Sequence, residues 1–179
     1  MTPEQRAAMR RRILDAARIR FLETGLDGLS MRGIASKVGV SSMTLYLYYD
    51  GRQDIVRHIV AEGFEQLNWE LRDAAVTASD ANKLPSVCEA YLSFALQNPS
   101  YYQAMYRYLA DRGEGPDELL DEALEEPRRV IGELLGDALR STALWSGLHG
   151  LAMLAIGGQV AAVGSAEEVS RLLAREFAA

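Results

Sequence analysis

The sequence predicts an all-α protein, in which an N-terminal head of three helices precedes a larger helical domain, with about nine helices in all. Two observations lead to this fold. Apolar residues recur at steps of three and four through successive segments, and the five prolines fall at the boundaries between segments. At 179 residues, with 49% hydrophobic and 25% charged residues, the chain is long enough for a small domain and a larger one sharing a packed core.

Charge is distributed unevenly along the chain. Residues 1–57 contain ten Lys and Arg against six Asp and Glu, a net charge of +4, whereas the remainder contains nine against nineteen, a net charge of −10. A basic head on an acidic body indicates that only the head meets phosphate. Two solvated faces of unlike charge are the alternative, which carries little weight beside the motif described below.

The first predicted helix ends at Gly25. Its apolar stripe consists of Ile13, Leu14, Ala17, Phe21 and Leu22. The run Arg10, Arg11 and Arg12 precedes that stripe, and two interpretations of it stay open. These arginines either reach phosphates or a minor groove, or belong to a frayed, solvated terminus.

Residues 29–49, LSMRGIASKVGVSSMTLYLYY, predict two short helices around a tight turn. Ser30 is a plausible N-cap for a helix over Ser30–Lys37, and Gly39 supplies the left-handed backbone that ends it. Ser41 begins the second helix and Leu45 faces the core. The remaining side chains are expected on the surface: Ser42, Met43, Thr44, Tyr46, Leu47 and Tyr48. This is a helix-turn-helix whose second helix is small enough to enter a major groove.

Residues 12–55 resemble the DNA-binding domain of the TetR/AcrR family of transcriptional regulators. The matching segments are RILDAARIRFLETG from Arg12, IASKVGVS from Ile34, TLY from Thr44 and YYDGRQDI from Tyr48. Met43, Leu47, Tyr49 and Arg52 depart from the family's usual residues, which leaves the operator sequence open. The expected DNA-binding residues are Ser30, Arg32, Ser41, Ser42, Met43, Thr44, Tyr46, Leu47, Tyr48 and Arg52.

The resemblance divides the chain into a DNA-binding domain, residues 1–50, and a helical ligand-binding and dimerisation domain, residues 51–179. A long helix is expected from Gly51 to about Ala78, joining the two. Within it, His58 and Glu62 are four residues apart and could be half of a metal site. A surface pair is favoured, because no third ligand is identifiable.

Large side chains with polar tips are concentrated in the second domain, above all in PSYYQAMYRYLADR from Pro99. Such residues suit a pocket that holds an apolar or aromatic small molecule. The predicted ligand-binding residues are Phe64, Trp69, Tyr91, Tyr101, Tyr102, Met105, Tyr106 and Trp145. Ordinary helix packing with hydroxyls at the surface is an equally good interpretation.

The C-terminal part of the chain contains an acidic stretch and a long apolar segment. The acidic stretch Asp117–Glu126 is expected to be a solvated face, and Pro127 to restart a helix. Ala143–Val163 is apolar enough to be tested as a membrane span, but a buried helix fits better because the segment contains Trp145, His149 and Gln159. Its small residues form one stripe: Gly147, Gly150, Gly157, Ala161 and Gly164.

The segment WSGLHGLAMLAIGG from Trp145 resembles the family's WHG type of C-terminal domain, whose last two helices pair with their copies. The resemblance therefore implies a homodimer through a face containing Gly150, Gly157, Ala161 and Leu172. Ser165 and Glu168 form a capping box at the start of the last helix.

The resemblance implies a homodimeric regulator, usually a repressor of a palindromic operator that a small molecule releases. The alternative is a DNA-binding regulator of the same fold without a ligand response. No nucleophile elbow, paired metal spacing or cofactor fingerprint is present, so the sequence predicts no enzyme and no cofactor. Cys88 is the only cysteine and the N-terminus lacks the apolar core of a signal peptide, which predicts a cytoplasmic protein.

Overall fold

The computed structural model describes residues 2–112, 115–160 and 165–178, and these residues form nine α-helices and no strand. The helices are α1 (Pro3–Gly28), α2 (Met31–Val38), α3 (Ser42–Leu45), α4 (Arg52–Thr77), α5 (Lys83–Gln97), α6 (Pro99–Asp111), α7 (Asp121–Leu135), α8 (Ala138–Ile156) and α9 (Ala166–Ala178). A short 3₁₀ helix, Asp80–Asn82, precedes α5. The all-α prediction is confirmed.

The chain divides into two compact units. Unit 1 comprises Met1–Glu62 and Ala104–Glu114, and unit 2 comprises Gly63–Gln103 and Gly115–Ala179. Helices α4 and α6 each contribute residues to both units. The start of α4 belongs to unit 1, where Ile55, Val56 and Ile59 are buried. The functional boundary after residue 50 stays a prediction.

Unit 1 is built on α1, which begins in an ordered cap. The Thr2 side chain accepts a hydrogen bond from the Gln5 N–H at 3.3 Å, and the Gln5 side chain accepts one from the Thr2 N–H at 2.8 Å. This capping box leaves the arginine run well inside a regular helix, so the frayed-terminus interpretation is wrong. The helix bends at Gly25, whose φ of 67° suits glycine.

The apolar face of α1 is narrower than the sequence predicts. Ile13, Ala16, Ala17 and Phe21 are buried, but Leu22 is 63% exposed. Leu22 follows Phe21 by one residue, and a rotation of about 100° per residue carries its side chain away from the buried face.

In unit 2, α5 is the central helix and packs against α7, α8 and α9. Its buried side chains are Leu84, Val87, Cys88, Tyr91, Leu92, Phe94 and Ala95. Burial raises the pKa of the Cys88 thiol to about 12. The thiol is therefore protonated at neutral pH and behaves as a small apolar group.

Helix α7 differs from its predicted form in two ways. It begins at Asp121, so Pro127 lies inside it rather than at its start. Proline has no N–H to donate to the carbonyl of Ala123 four residues earlier, and the buried Asn68 side chain donates to that oxygen at 2.9 Å. Glu126 belongs to the stretch predicted as a solvated face, yet it is buried and its carboxylate is 2.8 Å from Arg72 Nε.

The apolar segment predicted as one helix over Ala143–Val163 is shorter in the structure. Helix α8 ends at Ile156 and Gly157 is its C-cap, so Gly157 does not continue the predicted stripe. Ala161 and Gly164 lie outside the described residues. Within the described part of the chain, no helix combines the length and apolar character that crossing a membrane requires.

Candidate nucleic-acid interface

A helix-turn-helix occupies residues 31–45 of unit 1. The Ser30 side chain caps α2 by accepting a hydrogen bond from the Gly33 N–H at 3.2 Å. Gly39 adopts φ 82° at the end of α2, which reverses the chain without steric strain. Ser41 then caps α3 by accepting from the Thr44 N–H at 3.2 Å. The predicted caps and turn are confirmed.

Helix α3 is short, and its surface is largely apolar. Leu45 is fully buried and anchors the helix. Met43 is 74% exposed, Tyr46 54% and Leu47 62%. Side chains of this size are normally covered in a folded protein, so three of them together on a small surface indicate a binding face.

The hydroxyl groups at the start of α3 contact each other. Ser41 Oγ lies 2.9 Å from Thr44 Oγ1, within hydrogen-bonding distance, and it also caps the Thr44 N–H. Ser42 is half-buried. The hydroxyls are therefore partly engaged in holding the local backbone.

Arginines of α1 hold the backbone of the motif. Arg6 donates to the Leu47 carbonyl at 2.9 Å, Arg12 donates to the Val38 carbonyl at 3.3 Å, and Arg10 donates to the Tyr48 carbonyl. The Arg10 guanidinium also lies over the Tyr49 ring, 4.3 Å from its centroid, an arrangement that attracts a cation to the ring face. Arg10 and Arg12 thus position the backbone on the two sides of α3, a role that the sequence alone does not indicate.

Arg32 is the cation of α2 that stays available for DNA. It is exposed, and it makes no hydrogen bond or ion pair with the described part of the chain. Lys37, on the same helix, is 2.8 Å from the Glu23 carboxylate. Arg32 is therefore accessible to DNA, and its contact with DNA stays a prediction.

Two of the predicted DNA-binding residues have other positions than expected. Tyr48 is buried, not on the surface, and its N–H donates to the Leu45 carbonyl at 2.9 Å. The Arg52 guanidinium donates to the carbonyl oxygens of Leu29, at 2.8 Å, and Leu26. Arg52 therefore ties the start of α4 to the end of α1 instead of extending into solvent.

His58 and Glu62 form separate contacts within unit 1. Nδ1 of His58 is 2.8 Å from the Asp54 carbonyl oxygen, and Glu62 accepts a hydrogen bond from Arg18 at 3.1 Å. Each of the two side chains therefore contacts a different residue.

In unit 2, three of the predicted ligand-binding residues belong to one aromatic cluster. The hydroxyls of Tyr91 and Tyr102 are 2.9 Å apart, and the Tyr102 hydroxyl is 2.7 Å from Nδ1 of His149. The Trp145 ring is stacked on the His149 ring, with centroids 6.2 Å apart. Burial lowers the pKa of His149, so the imidazole is neutral at neutral pH. From the sequence alone, His149 is recognisable only as a polar residue of an apolar segment.

The other predicted ligand-binding residues differ in burial and in the unit to which they belong. Trp69 is 62% exposed. Phe64 is buried and Tyr101 is half-buried in unit 2, while Met105 and Tyr106 lie in unit 1. Three surface cavities of about 340, 390 and 510 Å³ are lined by other residues. The pocket stays a prediction.

Helices α8 and α9 expose the apolar residues expected of an interface. Met153 and Leu154 on α8 and Leu172 on α9 are exposed. A Cβ added to Gly150 would meet open space, whereas one added to Gly147 would contact Leu173 of α9 within the same chain. The predicted stripe is therefore divided, with Gly147 facing inward and Gly150 outward.

Comparison with known proteins covers both units. A family model described as "Bacterial regulatory proteins, tetR family" matches residues 13–59, and one described as "Tetracyclin repressor-like, C-terminal domain" matches residues 84–177. The first match contains the helix-turn-helix. The second covers more than half of the chain and extends from the start of α5 to the end of α9.

Two curated relatives and one solved structure are similar to the chain. The uncharacterised HTH-type transcriptional regulator YobS of Bacillus subtilis is 28% identical over 100 residues, 56% of this chain and 52% of that relative. The tetracycline repressor protein class D of Escherichia coli is 27% identical over 129 residues, 69% of this chain and 54% of the repressor. The chain thus spans about half the length of these relatives. A solved protein of unknown function from Rhodococcus sp. RHA1 has a TM-score of 0.77 at 25% identity, covering 94% of this chain and 92% of that one.

Proposed function

Because the chain belongs to the tetracycline-repressor-like family of bacterial regulatory proteins, we propose that it represses transcription by binding a specific DNA operator in the cytoplasm. It is a regulatory protein and not an enzyme. One observation carries the proposal. A helix-turn-helix whose backbone is held by α1 presents Met43, Tyr46, Leu47 and Arg32 to solvent, as a major-groove reader must.

The proposed active form is a homodimer. One reading helix buries too little surface for specific binding, so two of them must enter successive major grooves about 34 Å apart. The operator is then a palindrome. Dimerisation through α8 and α9 is supported by their exposed apolar residues Met153, Leu154 and Leu172, and by the open space at Gly150.

The proposed regulatory ligand is an apolar or aromatic small molecule bound in unit 2. The aromatic cluster supports this site, because it combines ring faces with hydroxyl and imidazole groups. Trp145 adds a buried indole N–H that has no hydrogen-bond partner among the described residues, and a ligand acceptor would satisfy it. A ligand with different affinities for the two states of the dimer shifts the population away from DNA.

The alternative is a regulator of the same fold that responds to no small molecule. The contacts within the cluster favour this alternative, because Tyr91, Tyr102 and His149 already hold one another's polar groups within hydrogen-bonding distance. In that case the cluster is a polar part of the core of unit 2.

Selection of bound sequences from random DNA tests the DNA-binding function. The protein is expected to enrich one palindromic sequence. Met43→Glu with Leu47→Glu should abolish binding, because two carboxylates would face phosphate. Ile19→Glu with Leu22→Glu adds the same charge at exposed positions of α1 and should leave the selected sequence unchanged. Enrichment of no sequence, or equal loss in both variants, would contradict the proposal.

The ligand response is tested by screening apolar and aromatic compounds for release of the selected operator. The chain has two tryptophans, so the Trp69→Phe variant leaves Trp145 as the only indole reporter. A compound that releases the operator should change Trp145 fluorescence in this variant. Tyr102→Phe should lower the affinity of the protein for that compound. Release with no change at Trp145 places the ligand elsewhere, and no release by any compound favours the alternative.

A further inference from the structure

The segment formed by α3 and its following turn lacks the side chains that usually distinguish one base pair from another by paired hydrogen bonds. Arg and Lys make such contacts to guanine, and Asn and Gln make them to adenine. The segment of α3 and its following turn, residues 42–48, reads SMTLYLY and contains none of the four. Base recognition by this segment must therefore use hydroxyls or apolar groups.

The hydroxyls are poorly placed to supply specificity. Ser41 and Thr44 are hydrogen-bonded to each other, and the Tyr48 ring is buried. Ser42 is half-buried, whereas Tyr46 is 54% exposed. The larger part of the exposed surface is apolar.

Met43 and Leu47 form that apolar surface together. The Leu47 N–H donates to the Thr44 carbonyl at 3.2 Å and the Tyr48 N–H to the Leu45 carbonyl at 2.9 Å. These bonds continue the turn beyond α3, so Leu47 follows Met43 by about one turn and lies on the same side. The Leu47 side chain does not fold back onto the buried Tyr48 and Tyr49, because it is 62% exposed while Arg6 holds its carbonyl.

We propose that Met43 and Leu47 recognise the C5-methyl group of thymine, so that each operator half-site has a thymine facing one of them. The inference rests on the proposed DNA-binding function and specifies its operator. In the major groove the thymine methyl is the apolar feature of the base edges, whereas the other groups offered there are hydrogen-bond donors or acceptors. Exposed methionine and leucine side chains gain by covering that methyl and lose by covering the polar edges.

Arg32 can supply the hydrogen bonds to guanine or phosphate that Met43 and Leu47 cannot make. It lies on α2, next to the reading helix in the motif, and has no partner among the described residues. Its guanidinium can donate two hydrogen bonds to guanine or meet a phosphate. Any strong guanine preference in the half-site is therefore assigned to Arg32.

Replacing thymine by uracil in the selected operator tests the assignment, because it deletes only the methyl group. Each methyl covered by Met43 or Leu47 is expected to contribute about fourfold in affinity, from about 0.8 kcal/mol per buried methylene-sized group. Changing both half-sites should cost about fifteenfold. Uracil at thymines outside the half-sites is the control and should have no effect.

Single alanine variants identify the side chain in contact with each methyl. In Met43→Ala or Leu47→Ala, the variant that has lost the contact should bind the thymine and uracil duplexes equally, since the coupled partner is gone. Leu22→Ala is the matched control, because Leu22 is 63% exposed and Leu47 62%. This control should keep the full preference for thymine.

A third duplex tests the methyl without thymine. Where the critical base pair is changed to C·G, methylation of that cytosine at C5 should recover about the same factor, since the methyl lies in the same place in the groove. No recovery, or no uracil effect at any half-site thymine, overturns this inference while leaving DNA binding intact. Failure to select any sequence would instead overturn the proposed function.

Discussion

The side chain of Asn68 is predicted to replace the hydrogen-bond donor that Pro127 removes from α7. It donates Nδ2 to the Ala123 carbonyl at 2.9 Å, in a part-buried position. Asn68→Leu keeps the approximate shape and deletes the donor. A fully buried acceptor without a partner costs about 1 to 3 kcal/mol, which is the upper limit for this part-buried carbonyl. The buried Oδ1 of Asn68 has no partner among the described residues, so its removal offsets part of this loss and the expected net destabilisation is about 1 to 2 kcal/mol.

Urea unfolding measures the effect as a shift of the midpoint at constant slope. The decisive comparison measures Asn68→Leu in a protein that also carries Pro127→Ala. Alanine restores a backbone N–H that can donate to the Ala123 carbonyl, so the Asn68 amide is no longer needed there. Asn68→Leu is then expected to be nearly neutral, a coupling of about 1 kcal/mol or more. Gln66→Leu, at an exposed amide of the same helix, should stay within about 0.5 kcal/mol of wild type. An equal loss in both backgrounds would refute the donor-replacement reasoning.

Three further predictions concern charge, assembly and the core. Arg32→Ala should flatten the slope of log affinity against log salt by about one unit. Arg52→Ala should instead lower the melting temperature, because it leaves two carbonyls without their donor. The reverse result would exchange the roles of the two arginines. Gly150→Trp should give monomers in sedimentation, and an intact dimer would move the interface away from α8. Cys88 should react with iodoacetamide only in denaturant, since the pKa of its thiol is about 12 in the fold. Because the pKa of this thiol is higher in the folded state, the free energy of unfolding should fall as pH rises above the ordinary thiol pKa of 9.0.

Local signals make the helix-turn-helix predictable from the sequence. The caps at Ser30 and Ser41 and the left-handed Gly39 depend on residues within four positions of each other, so residue type and spacing suffice to predict them. The exposed Met43 and the buried Leu45 follow from the same helical period.

The residues whose positions differ from the sequence prediction depend on partners distant in sequence. Arg52 reaches the Leu29 carbonyl and Asn68 reaches the Ala123 carbonyl, and no local pattern states which carbonyl lacks a donor. A helix start is the natural prediction for Pro127 because that is where proline is best tolerated, and the distant Asn68 is what makes its interior position acceptable. The sequence does not assign His149 to the aromatic cluster for a similar reason, since its partner Tyr102 is 47 positions away.

The ratio of affinities for the selected operator and for a scrambled duplex of the same composition, measured at physiological salt, tests the central claim most directly. A dimer that reads base edges should bind the operator at least about 10³-fold more tightly. Met43→Glu with Leu47→Glu should remove that preference, and Ile19→Glu with Leu22→Glu should preserve it. A ratio near one for the wild-type protein would contradict the claim that this chain is a sequence-specific regulator.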